Sequence, residues 1–407
     1  MWGAAAAVGA AAVGFAWIAD AAQAVFRRLN AEFSAWPWIV APLGFALISW
    51  VTRRYFPGAE GSGIPQTIFA LRPDSGEQGS RLLKPTVVIG RVFLAAGALL
   101  SGASIGREGP TVHVGATIAR LFGRWLPHSA HPGQQRAMVL AGGAAGVAAA
   151  FNTPLAGIVF AIEELARSFE ERASGVALTA VILAGVISIA LTGDYTYFGQ
   201  PVISKEVSSL SMGVFGVALA GGLTGGLFSR ITLLSVSRVR AAMANASWGR
   251  PLLFAAFCGL LVAAMGHFGG GLTYGTGYSE ARSVLEGQVH LPWYYAPERA
   301  AATLAAYLSG IPAGLLAPSL SVGAGLGQLV ADIGNQPTAV PFAILGMCGY
   351  LAGVTQAPLT SLVIVMEMTT QHAMVLPLMV TATVATAISK LLSPSLYRTL
   401  AQERYAG

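Results

Sequence analysis

Long uncharged runs, separated by short charged or Gly/Pro-containing joints, dominate the chain. Asp, Glu, Lys and Arg are absent from residues 1–19, 33–52, 92–106, 137–162, 173–193, 207–229, 251–279, 300–331, 333–366 and 368–389. About 20 such residues cross a bilayer as a helix, so the pattern predicts an all-α polytopic membrane protein. Several runs are too long for one span and too short for two. Gly142-Gly143, Pro154, Pro312, Pro318 and Pro358 interrupt them, which predicts broken or re-entrant helices. The first run, from Met1 to Ile18, has no basic segment ahead of it and no evident cleavage site before Asp20. It reads as a retained first helix rather than a signal peptide.

Composition supports the same reading. Only 42 of 407 residues are charged (24 basic, 18 acidic) and the mean hydropathy is +0.63, whereas a soluble domain carries roughly a quarter charged residues. A soluble enzyme is excluded on that ground. The net charge of +6 is spread over small groups such as Arg27-Arg28 and Arg53-Arg54 between apolar blocks. These suit membrane-flanking anchors and offer no basic face for nucleic acid. Cys258 and Cys348 lie inside apolar runs and read as small buried hydrophobes. Fifty glycines fit close helix packing and irregular backbone within a bundle. The whole chain, 1–407, reads as a single membrane domain with no soluble appendage.

The chain also repeats itself. Gly106, Pro110, Val114, Gly115 and Ala116 recur 208 positions later as Gly314, Pro318, Val322, Gly323 and Ala324. Pro154-Leu155, Val159 and Glu163 recur at an offset of 204 as Pro358-Leu359, Val363 and Glu367. Gly61-Ser62-Gly63 has only a faint echo in Gly275-Thr276-Gly277, to which little weight attaches. Two halves, 1–200 and 201–407, the second with a short C-terminal helix, are expected. The repeat does not say whether they are inverted.

Pro110 and Pro318 sit where a first helical turn tolerates proline, and Gly61-Ser62-Gly63-Ile64-Pro65 is a third helix start. Free N–H groups and the positive dipole end make such starts attractive to anions. Ser62 is either one more donor to an ion or a plain N-cap. The repeat sorts the acids. Glu163 and Glu367 are equivalent, which suits a shared structural duty such as satisfying backbone donors at a helix end. Glu108 and Glu164 face Leu316 and Met368 in the other half, and an unmatched acid inside a membrane is a functional candidate. The competing readings pair Glu164 with Arg167 and Glu108 with Arg107; the second is the weaker, because consecutive helical residues diverge.

GSGIP at 61–65, GREGPTVHVGA at 106–116, AAAFNTPLAGIVFAIEE at 148–164, GLLAP at 314–318, QAPLTSLVIVMEMT at 356–369 and Tyr397 together resemble the CLC family of chloride channels and proton-coupled chloride antiporters. The resemblance runs in order from about residue 60 to 400. It implies an inverted repeat of broken, tilted helices, a homodimer with one pore per subunit, and a Cl⁻ path through each. Carried over, Ser62, the Tyr397 hydroxyl and the backbone N–H groups of Leu315 and Leu316 hold the central anion. The backbone at Arg107 and Gly109 serves the outer site. Glu108 matches the gating glutamate and Glu164 the inner proton-transfer glutamate of the antiporters. Two positions depart from the pattern: Leu316 replaces a usual Phe, and His113 stands where related bacterial members often have Gln.

This implies a secondary transporter exchanging Cl⁻ and similar monovalent anions for H⁺, with a passive channel on the same fold as the alternative. A fluoride-selective member usually lacks the serine kept here as Ser62. Dipolar donors without a full positive charge bind an anion strongly enough to admit it and weakly enough to release it. Glu108, itself an anion, competes for those donors when ionised and withdraws when protonated, while Glu164 passes protons toward it. No cofactor or metal is expected; His128 and His131 share a Pro-flanked loop, and His267, His290 and His372 stand apart. An intramembrane hydrolase is disfavoured, since Ser62 and Ser104 have no base at credible spacing and no HExxH is present. The absence of a regulatory tail after Gly407 favours a prokaryotic protein of the inner membrane.

Overall fold

A computed structural model describes residues 2–124, 132–166, 175–193, 198, 199, 201, 211–244, 246 and 249–405. Arg167, His128 and His131 lie outside the described residues. The first part of the chain forms α1 (Trp2–Glu32), α2 (Trp36–Tyr55), α3 (Ile64–Ala70), α4 (Gly76–Leu82), α5 (Pro85–Leu100), α6 (Glu108–Gly123), α7 (Pro132–Phe151), α8 (Pro154–Phe160) and α9 (Gly175–Thr192). The second forms α10 (Ser211–Met243), α11 (Gly249–Phe268), α12 (Tyr278–Leu285), α13 (Tyr295–Leu308), α14 (Leu316–Ile333), α15 (Val340–Thr355), α16 (Pro358–Thr369), α17 (Val375–Leu392) and α18 (Leu396–Tyr405).

Among the described residues five helices are long and apolar enough to cross a membrane, or six if the bent pair α4–α5 counts as one span. The rest are short. Large apolar side chains such as Phe93, Leu253, Leu376 and Leu391 stand exposed on the outside, whereas Ser62, Arg91, Glu108, His113 and Arg299 are fully buried. That inversion of the soluble pattern makes this an integral membrane protein.

The breaks fall where proline denies the helix a donor. Pro154 and Pro358 open α8 and α16, and Pro312 lies in the gap between α13 and α14. Gly142-Gly143 is the exception: α7 runs straight through it. Those glycines permit contact instead. A Cβ on Gly142 would strike the carbonyl of Gly115 and the Ala119 side chain of α6, so small residues here bring two backbones together.

The repeat extends to backbone detail. Asn152 and Gln356, 204 positions apart, both take left-handed conformations (φ 54° and 57°) just before α8 and α16. Gly63 (φ 93°) and Gly277 (φ 87°) are the left-handed N-caps of α3 and α12. A side chain at either would be strained, so the Gly-Ser-Gly and Gly-Thr-Gly segments are structural counterparts, more than the chance echo their composition suggested. Each is clamped by a buried arginine, and the two arginines are 208 apart. Arg91 donates to the carbonyls of Gly61 (2.8 Å) and Gly58 (2.9 Å), and Arg299 to those of Gly275 (2.7 Å) and Leu272 (2.8 Å). Arg91→Ala should leave the Gly61 and Gly58 carbonyls with one donor each, the Ala313 N–H and the Gln66 side-chain amide, and lower stability by about 1–3 kcal/mol, read as a fall in melting temperature in detergent.

The halves meet about a pseudo-two-fold. Gly106 and Gly314, equivalent residues, form an antiparallel bridge with each other. The Glu163 carboxylate accepts from the N–H groups of Leu359 (3.1 Å) and Thr360 (2.7 Å) at the start of α16. Reciprocally, Glu367 accepts from Leu155 (3.1 Å) and Ala156 (2.8 Å) at the start of α8. Each acid thus caps the other half's helix, where the dipole favours negative charge. This is the shared structural duty their equivalence suggested.

Candidate functional site

Three helix starts converge at the centre. In α6 the first intrahelical bond runs from the Thr111 N–H to the Arg107 carbonyl (3.0 Å), and in α14 from Ser319 to Leu315 (3.1 Å). The N–H groups of Glu108, Gly109, Leu316 and Ala317 are therefore not consumed by their own helices. The Gly106–Gly314 bridge holds the two starts face to face, with N–H···O distances of 2.8 and 3.2 Å. A Cβ on Gly314 would strike the Gly106 carbonyl and lie 3.1 Å from Pro110 Cδ, so the approach requires glycine.

The third start joins them through Gly61, whose N–H donates to Ile311 and whose carbonyl accepts from Ala313, both at 3.0 Å. A Cβ on Gly109 would come within 2.7 Å of the Ser62 carbonyl. Ser62 and Gly109 are thus in contact. The Ser62 Oγ accepts only a long bond, 3.3 Å, from the Ile64 N–H, and Gly63, not Ser62, is the N-cap residue of α3. Capping does not use the hydroxyl's proton.

Glu108 opens α6 and is fully buried. Its Oε1 accepts a 2.7 Å hydrogen bond from the Tyr278 hydroxyl of α12, and the N–H of Ala317 in α14 faces the same carboxylate. A helix-start acid lying against a second helix start is an anion in an anion site. The adjacent Arg107 side chain points elsewhere, to Asp20 (2.6 Å) and the Ala16 carbonyl (2.9 Å); its backbone, as residue N-terminal to α6, remains at the site.

Leu315 and Leu316 are buried at the start of α14. The Leu316 side chain leaves the backbone donors in place, which is what coordination by N–H requires. Tyr397 lies on α18, which packs against α3. Its hydroxyl is buried without a hydrogen-bond partner among the described residues, and it lies within electrostatic reach of Tyr307, Glu164 and Glu108. A surface cavity of about 930 Å³ is lined by Arg53, Glu60, Gln78, Tyr307 and Leu400 among others. There the Tyr307 ring packs 3.5 Å from where a Gly61 Cβ would stand.

Glu164 is buried in a π-turn, Ala161–Leu165, that continues α8 and is closed by the Ala166 N–H on the Ala161 carbonyl (2.8 Å). Such turns are common at functional sites. Arg398, next to Tyr397, donates to the Glu163 carbonyl (2.6 Å) and ties α18 to this turn. His113 is buried on α6 beside Arg91 and against Gly63.

The structure therefore brings Ser62, Glu108, Gly109 and the start of α14 together, with Tyr397 electrostatically coupled to both Glu108 and Glu164. Sequence reasoning missed Tyr278. The signal was present, since Tyr278 follows directly on the Gly-Thr-Gly echo, in the place that Ile64 holds after Gly-Ser-Gly.

Broken helices related by a pseudo-two-fold, with starts converging on a buried acid, define a membrane protein of the inverted-repeat class. Residues 44–390 match the sequence model of the voltage gated chloride channel family, and the chain belongs to that family, the CLC family. A putative chloride channel protein ClcB-like from Ralstonia nicotianae is 30% identical over 377 residues, 89% of this chain and 84% of that protein. Among solved structures, a slow cyanobacterial Cl⁻/H⁺ antiporter superposes with a TM-score of 0.84 at 24% identity, covering 100% of this chain and 97% of that one. A CLC-type fluoride/proton antiporter superposes at 0.81 with 22% identity, covering 98% and 95%. The shared fold is that of CLC transporters.

Proposed function

We propose that this protein exchanges Cl⁻ and similar monovalent anions for H⁺ across a bacterial inner membrane. The observation that carries the reading is the buried Tyr397 hydroxyl, without a hydrogen-bond partner among the described residues and electrostatically coupled to both Glu108 and Glu164. A donor at the anion site coupled to two protonatable groups lets one site serve both ions. In its ionised form Glu108 occupies the donors of α6 and α14. Protonation removes its claim on them, Cl⁻ takes its place, and the proton leaves with the side chain. Glu164 supplies protons from the other side. Ser62, Tyr397 and the N–H groups of Leu315 and Leu316 form the central cage, and the backbone at Arg107 and Gly109 the outer one. No cofactor, metal or enzymatic step enters this reading. The relative named a chloride channel makes a passive channel the second reading.

The test is reconstitution in liposomes under a Cl⁻ gradient with reversal potential and pH recorded together. Exchange moves H⁺ against its gradient; a channel gives a Nernstian Cl⁻ potential and no H⁺ movement. Ser62→Ala and Tyr397→Ala should each weaken calorimetric Cl⁻ binding by about 1–3 kcal/mol, the worth of one charge-assisted hydrogen bond. Unchanged affinity in both would contradict their roles.

The halves are taken as 1–200 and 201–407 of one membrane domain, joined between α9 and α10. A homodimer with one pore per subunit accords with the apolar face at the capped α8–α16 pair, where Leu155 and Leu359 are 53% and 54% exposed, flanked by Ile182, Val186, Leu376 and Met379.

A further inference from the structure

The second half contributes a hydroxyl to the site in a different way from the first. In the first half Ser62 lies between the two left-handed glycines. Its counterpart Thr276 is engaged elsewhere, with its hydroxyl and its N–H both 3.3 Å from Gln23 Oε1. The hydroxyl that reaches the centre from this side belongs instead to Tyr278, the first residue of α12, bonded to Glu108 Oε1 at 2.7 Å. Ile64 occupies the equivalent place in α3. Like Glu108 and Glu164, Tyr278 is a polar group where the other half has an apolar one.

Its position is fixed rigidly. Arg299 holds the Gly275 carbonyl (2.7 Å), and the Ser321 Oγ of α14 holds the Gly277 carbonyl (2.9 Å), with Tyr295 bonded in turn to Ser321. The Phe198 ring packs against the Tyr278 ring with centroids 5.7 Å apart. Because Ser321 lies on α14, the phenol keeps its place relative to the donors of that helix start whether or not Glu108 moves. Tyr278 is half-buried while Glu108 is fully buried, so the phenol borders the accessible side of the carboxylate.

We propose that the Tyr278 hydroxyl is a side-chain ligand of the transported anion at the position the Glu108 carboxylate occupies. It donates to the carboxylate while that group fills the site, and to the halide once the carboxylate has left. The same donor serves two successive anions, so it does not have to be desolvated anew at each exchange. This inference rests on the proposed function, because it requires a halide to replace Glu108.

The experiment compares Cl⁻ binding by calorimetry in Glu108→Ala and in Glu108→Ala/Tyr278→Phe. With the carboxylate removed, the phenol affects affinity only if it touches the anion. The double variant should bind Cl⁻ about ten- to a hundredfold more weakly, the equivalent of one hydrogen bond to a charged group. Tyr278→Phe alone should change affinity less, because it weakens Cl⁻ and its competitor together. Melting temperatures report whether the ring still packs. Equal affinities in the two Ala-background proteins would overturn the Tyr278 assignment and leave the transport reading standing. No Cl⁻ binding to either would overturn both.

Discussion

Glu108→Gln should abolish Cl⁻-driven proton movement while Cl⁻ still crosses the membrane. The neutral amide cannot carry a proton in and out, and it competes for the donors of α6 and α14 without the charge that made the carboxylate effective. The Tyr278 bond and the facing Ala317 N–H lose their charge assistance, roughly halving their strength. Cl⁻ therefore meets a weaker competitor, and its apparent affinity should rise. Proteoliposomes loaded with a pH dye and driven by a Cl⁻ gradient give the readout. Proton pumping that persists in the variant contradicts the gate assignment, and loss of both fluxes points to a structural role for the side chain.

The elements that carry this argument were legible where sequence encodes backbone chemistry directly. Proline cannot donate a hydrogen bond, so Pro154, Pro312 and Pro358 mark real breaks, and Pro110 and Pro318 lie in the first turns of α6 and α14. Repeat asymmetry singled out Glu108 and Glu164 because an ionisable group in a membrane needs a reason to be there. Glycine was harder to read. Gly142-Gly143 looked like a break, yet a helix tolerates glycine for about 1 kcal/mol, and packing against Gly115 offsets that cost. Gly275-Thr276-Gly277 looked like chance, yet its two glycines take φ of 74° and 87°. Composition cannot report the sign of φ.

The arginine clamps were hidden for a related reason. Arg91 and Arg299 are 208 residues apart, the same offset as Gly106 and Gly314. Each borders an uncharged run, where a charge is unremarkable. In the fold both are fully buried, and the carbonyls they satisfy belong to the glycine-containing loops ahead of α3 and α12. A buried guanidinium can offer several donors in a fixed plane, which is what a loop with several inward carbonyls requires. Long-range partnership of this kind is invisible to any window along the chain. The π-turn at Ala161–Leu165 escaped for the same reason, since nothing in the Ala-Ile-Glu-Glu-Leu pattern distinguishes it from a continuing α-helix.

That turn separates two neighbouring acids into different tasks, and their substitution should separate two kinds of damage. Glu164→Gln should stop H⁺ movement and leave the Cl⁻ site formed, because Gln is nearly isosteric and the cage residues Ser62, Leu315, Leu316 and Tyr397 lie on α14, on α18 and in the loop ahead of α3. Calorimetry should give Cl⁻ affinity close to that of the unmodified protein, with coupling absent in liposomes. Glu163→Gln should do the reverse. Its carboxylate receives both the Leu359 and the Thr360 N–H. An amide offers one oxygen and turns an NH₂ toward the second donor, so that variant should lose about 1.5–3 kcal/mol of stability and keep its coupling. Glu367→Gln, the reciprocal cap on α8, should match it in size, because the two are the same interaction seen from either side of the pseudo-two-fold. Thermal melts of the three variants beside H⁺ flux under a Cl⁻ gradient distinguish the outcomes. Full coupling in Glu164→Gln would remove it from the proton route and move that role to Glu163 or to water. Lost coupling with normal stability in Glu163→Gln would show that the cap also carries protons.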